Sequence, residues 1–72
     1  MNDNIYILIG KNIKKFREKK KYSIKDLSLM TNIDLKDLEK IELEGVDGNI
    51  TFEVLNTICK CLDINMIDLF HK

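Results

Sequence analysis

Apolar residues recur at helical spacing along most of this chain. Ile5, Ile9, Ile13 and Phe16 lie four, four and three residues apart, so a 3.6-residue turn stacks them on one face. A first helix is expected to end near Lys20, where three lysines meet the negative end of its dipole. Within it, Ile5-Tyr6-Ile7-Leu8-Ile9 fits a helix or a short strand, and helix is favoured. Ser23-Ile24-Lys25-Asp26 spells a capping box. The second helix it opens carries Leu27, Met30 and Thr31 inward. Asn32 follows, a residue type that tolerates the left-handed turn conformation. Asp34 suits the N-cap of a third helix with Leu38 and Ile41 inward. Gly45, Asp47, Gly48 and Asn49 mark a loop. Thr51 caps a fourth helix with Phe52, Leu55, Ile58, Cys59 and Leu62 on one face. Asn65-Met66-Ile67-Asp68 opens a short fifth helix with Leu69 and Phe70 inward. The pattern is that of an all-α bundle of five short helices, one domain over residues 1–72.

Composition narrows the class. A chain of 72 residues holds one domain with a modest core. Cys59 and Cys61 are two residues apart, which on a helix points them about 200° apart, so they cannot bridge each other. Such usage suits a reducing cytoplasm. The N-terminus Met1-Asn2-Asp3-Asn4 is not basic, and Ile5–Ile9 is too short for a signal peptide or a membrane span. No membrane association is expected. Catalytic chemistry finds no footing either. His71 stands alone near the C-terminus, no nucleophile–base set or phosphate-cradling glycine loop is present, and no cofactor or metal ligand set is read.

The net charge is zero, but its distribution is not even. Residues 1–25 carry eight basic groups against Asp3 and Glu18, a balance of +6. Residues 26–72 carry four lysines against ten acids, a balance of −6. The basic end suits a phosphate-bearing partner, and equally an ordinary solvated helix face.

A helix of about eight residues, a three-residue turn and a further helix make the helix-turn-helix layout, here spanning about residues 23–43. With the first helix Ile9–Glu18, the stretch Ile50–Ile64 and Asp68-Leu69-Phe70, the order and spacing resemble the Cro/CI-type, lambda repressor-like family over nearly the whole chain. That resemblance implies a sequence-specific regulator of transcription, a dimeric repressor that places its third helix in the major groove of double-stranded DNA. It further implies an ion pair between Arg17 and Glu42. Asn32 falls where the family turn has a small or left-handed residue. Leu35, Lys36 and Lys40 match the positions at which family members touch bases, Glu39 lies at their edge, and Lys25 and the first-helix lysines would lie near phosphate. Tyr6, Ile7, Leu8 and Ile67 fall off the inward stripes and are candidates for a homodimer interface.

The DNA face departs from the family pattern. Ile24 stands where a phosphate-binding Gln is common, and Asp34 where Ser or Thr is common. Asp34 would repel phosphate unless its carboxylate turns into the cap. Residues 34–47 hold six acids and two lysines, a poor balance for attraction to phosphate. An alternative therefore stands beside the first. In it the fold serves a protein partner, as an antirepressor or partner subunit, through Ile24, Leu35 and Leu43.

Overall fold

A computed structural model describes residues 4–47 and 50–72. The expectations that fall on Met1-Asn2-Asp3 and on Gly48 and Asn49 lie outside the described residues. Four α-helices are followed by a 3-10 helix: α1 (Ile5–Lys19), α2 (Ile24–Thr31), α3 (Leu35–Glu44), α4 (Phe52–Leu62) and Met66–Phe70. The architecture is all-helical as expected among the described residues, but the fifth element is a 3-10 turn and not a fifth α-helix.

Local chemistry explains the boundaries. Asn4 settles the helix-or-strand choice at the start, because its Oδ1 accepts from the Tyr6 amide at 2.9 Å and caps α1. Past Lys20 the chain reverses through Lys21, whose φ of 62° is left-handed without a glycine. The capping box of α2 forms as the sequence spells it: Asp26 N–H donates to Ser23 Oγ at 2.9 Å, and Ser23 N–H donates to Asp26 Oδ2 at 2.8 Å. Asn32 takes the left-handed position at φ 63°, and its amide donates to the Ser28 carbonyl at 2.8 Å. Thr51 Oγ1 caps α4 by accepting from the Val54 amide. Asp34 sits at the N-cap of α3, but its side chain makes no capping hydrogen bond.

The core gathers one stripe from each element, with Ile13, Leu27, Leu38, Ile58, Leu62 and Leu69 fully buried. α1 lies against both α3 and the 3-10 turn, and α2 bridges α3 and α4. Four residues expected inward are exposed: Ile5, Met30, Phe52 and Phe70. α2 reaches its neighbours through Leu27 and Thr31, one turn apart, and Met30 is left on the rim. Phe52, 68% exposed, is the first residue of α4 and lies before the helix meets the core. In a 3-10 helix successive residues turn by about 120°, so burying Leu69 carries Phe70 outward.

Two close approaches fix α1. At Gly10 the backbones of α1 and α3 meet so closely that a Cβ would collide with the Ile41 carbonyl oxygen. At Gly45, φ 96°, a Cβ would stand 2.8 Å from the Tyr6 carbonyl oxygen. That same oxygen accepts from Val46 N–H at 3.1 Å. On another side of α1, two residues beyond Gly10, the buried Asn12 donates from Nδ2 to the carbonyls of Leu69 at 2.7 Å and His71 at 2.8 Å. This side chain closes the C-terminal turn onto α1.

Candidate nucleic-acid interface

The orientation of α3 depends on one guanidinium. Arg17, at the end of α1, donates from Nε to Glu42 Oε2 at 2.8 Å and from Nη2 to Glu42 Oε1 at 2.9 Å. Its Nη1 donates to the Tyr22 carbonyl at 2.8 Å. Two parallel N–H···O bonds form the fork geometry that arginine and carboxylate share. The two side chains are 11% and 7% exposed. The hydrogen bonds to Glu42 raise the Arg17 pKa above its ordinary value against the opposing effect of burial. The pair expected from the resemblance is thus in place, and it joins α1, the turn before α2 and the last part of α3.

Held this way, α3 turns Lys36, Glu39, Lys40 and Leu43 to solvent, while Leu35 is half-buried on the flank. Leu43 is 82% exposed. The side chains of Lys36, Glu39 and Lys40 enter no ion pair or hydrogen bond among the described residues. Glu42, one turn from Leu38 along the inner edge, is committed to Arg17. The outward stripe therefore offers two ammonium groups and one carboxylate, all unengaged.

Its two flanks differ. Towards α1 and α2 lies a shallow depression of about 260 Å3, lined by Lys14, Arg17, Ile24, Glu39, Glu42 and Leu43. Towards the α3–α4 connection lies a hollow of about 420 Å3 whose lining includes Asp34, Asp37 and Asp47 as well as Asn32 and Lys40. The Asp34 carboxylate, not drawn into a cap, adds to the negative charge of that side. Phosphate is therefore disfavoured on the α3–α4 side, whereas the charges lining the α1–α2 depression balance.

The first-helix lysines separate accordingly. Lys14 borders the depression beside α3. Lys11, Lys15 and Lys19 share with Lys14 and Glu18 a different surface along α1, where the ammonium groups of Lys15 and Lys19 lie 4.9 and 5.8 Å from the Phe16 ring centre. Lys25 is exposed in the first turn of α2. Charge counting along the chain does not distinguish Lys14 from the other first-helix lysines. A sequence signal for it existed, since Lys14 lies three residues before Arg17 on the same side of α1. Asn32 is exposed, and its backbone role is to end α2.

The remaining candidates are spread elsewhere. Tyr6, Ile7 and Ile67 are exposed and Leu8 is half-buried. His71 is exposed. Cys59 is buried, and burial together with Asp68 pushes its thiol pKa up. No helix among the described residues is long and apolar enough to cross a membrane.

A family model described as a helix-turn-helix domain matches residues 10–72. The chain belongs to the Cro/CI-type helix-turn-helix family. Two solved structures are similar to this helix-turn-helix domain. SinR, the master regulator for biofilm formation, was solved in complex with DNA; it is 27% identical over 88% of this chain and 98% of its own, with a TM-score of 0.78. ClgR, the clp gene regulator of C. glutamicum, superposes with a TM-score of 0.82 over 94% of this chain and 86% of its own. At 18% identity, ClgR speaks for the fold alone. No curated protein sequence matches this helix-turn-helix domain.

Proposed function

We propose that this chain is a sequence-specific DNA-binding regulator of transcription, a dimeric repressor that lays α3 in the major groove. The observation that carries the reading is the stripe of unengaged Lys36, Glu39 and Lys40 on an α3 clamped by Arg17 and Glu42. The likeness to SinR, solved with DNA, supports it. In this reading Lys36 and Lys40 donate to base acceptors, Leu35 packs beside them, and Lys14 and Lys25 meet phosphate. Asn32 acts by setting the angle between α2 and α3. Tyr6, Ile7, Leu8 and Ile67 form the two-fold contact that lets two third helices address paired half-sites.

The test is a duplex titration at two salt concentrations on a site taken from a randomised library. Each phosphate neutralised adds about −0.9 to the slope of log K against log salt. The acidic flank leaves few such contacts, so a slope shallower than that of strongly basic repressors is expected. Lys40→Ala should cost about 1–3 kcal/mol on the selected site and relax its choice of base. Lys25→Ala should weaken all sequences about equally. Failure of the wild-type protein to bind any duplex at low salt would sink the reading. Leu43, 82% exposed beside Ile24, favours a protein-binding surface as the second reading, and that outcome would direct attention to it.

A further inference from the structure

Glu39 is the anomaly of the outward stripe. A carboxylate facing phosphate weakens binding, and this one has no lysine or arginine engaged with it. It shares its depression with Ile24 and Leu43, and with Lys14 at the rim. We propose that Glu39 selects a C·G base pair, accepting from the cytosine N4 amine while Lys40 donates to the O6 and N7 of the paired guanine. The inference rests on the DNA-binding reading above and deepens it by assigning a base.

The argument is geometric and chemical. Glu39 and Lys40 are consecutive on α3, so they differ in height by about 1.5 Å and in direction by about 100°. With Leu38 and Ile41 buried on the inner side, the two side chains diverge on either side of the outermost line of the helix. At one height and on two sides, they reach the two bases of one pair, not two successive pairs about 3.4 Å apart. Base edges in the major groove offer a carboxylate only amine donors, at cytosine N4 and adenine N6. Adenine sets its N7 acceptor next to that amine, and the second carboxylate oxygen is repelled by it. Cytosine has no acceptor there. Its partner guanine presents O6 and N7, both acceptors for an ammonium. Thymine, the partner of adenine, presents O4 and a methyl group. One carboxylate and one ammonium side by side therefore complement C·G better than any other pair.

Glu39 is exposed and its side chain touches no polar partner, so Glu39→Gln leaves the fold intact, which thermal unfolding checks. The experiment selects duplexes from a randomised library with wild-type protein and with Glu39→Gln, then titrates each protein on sites differing at one pair. Wild-type protein should select a C·G pair, and replacing that pair by T·A should weaken binding about 5- to 150-fold. Glutamine binds adenine through N6 and N7, so the variant should move its preference from cytosine to adenine at that one position. A uniform gain in affinity on all duplexes, with cytosine still preferred, would mean that Glu39 acts only through its charge and would overturn the assignment. A wild-type site without any C·G requirement would overturn it as well. Absence of binding to every duplex is a separate result, which removes the DNA-binding reading and this inference with it.

Discussion

Arg17 engages each of its three guanidinium nitrogens inside the protein, two on Glu42 and one on the Tyr22 carbonyl. Removing either partner leaves the other charge largely desolvated. Arg17→Ala or Glu42→Ala should each cost about 3 kcal/mol, the lower end of the range for buried pairs because some solvent reaches both side chains. A double-mutant cycle on urea unfolding should show a coupling of about 0.5–3 kcal/mol; additive losses would mean the two side chains act independently. Gly10 makes the opposite kind of demand. Replacing a mid-helix glycine by alanine normally stabilises by about 0.5–1 kcal/mol, but here the added methyl meets the Ile41 carbonyl, a backbone atom that cannot swing aside. The collision outweighs the propensity gain. Gly10→Ala should lose about 1–3 kcal/mol net in urea unfolding, and a gain would show that α1 and α3 can part without cost.

Among the elements, α2 is the shortest α-helix, eight residues long, and short helices depend on their ends. Its capping box holds the Asp26 carboxyl below the usual carboxylate range, first through the Ser23 backbone amide and then through the Ser23 hydroxyl. A group whose folded pKa is depressed stabilises the protein above its unfolded value and stops doing so as pH falls through the folded value. Thermal unfolding of wild-type protein and Asp26→Asn should therefore differ at neutral pH. The gap should close as the pH is taken below about 4. A gap independent of pH would assign the effect to something other than the ionised cap. The ends of elements are also where apolar periodicity misleads. Met30, Phe52 and Phe70 all sit on or near a terminal turn, and each obeys the helical spacing yet faces water. Spacing states which residues share a face, not where along the helix its neighbour stops.

Across the whole molecule the charges are divided along the chain, +6 over residues 1–25 and −6 over the rest, but the fold divides them differently. Lys14 borders α3 while Lys11, Lys15 and Lys19 line another surface, and the aspartates collect on the far flank. The apolar side chains of Tyr6, Ile7 and Ile67 remain uncovered on elements that pack against each other, α1 and the 3-10 turn. If they form the proposed two-fold contact, sedimentation should show a dimer at about 10 µM, the range of modest association free energies. Tyr6→Lys should yield a monomer that still unfolds cooperatively, at a temperature that no longer rises with protein concentration. A wild-type monomer at that concentration would remove the dimer from the reading.

The sequence by itself determined what depends on neighbours along the chain. Helix starts at Ser23 and Thr51, the left-handed Asn32 and the buried stripe of each helix follow from spacing and local hydrogen bonding, which act within a few residues. The pairing of Arg17 with Glu42 also came from the sequence, through the family pattern. Only the tertiary structure decided which groups meet across elements. No local rule announces that Asn12 reaches the carbonyls of Leu69 and His71, or that Gly10 is a contact between backbones. Nor does any local rule say that Asp34 leaves its cap unmade, or which of several equivalent lysines stands beside α3. Those outcomes depend on how helices cross, and crossing is set by the combined packing of the buried hydrophobic side chains that all five elements and the loop at Val46 contribute among the described residues.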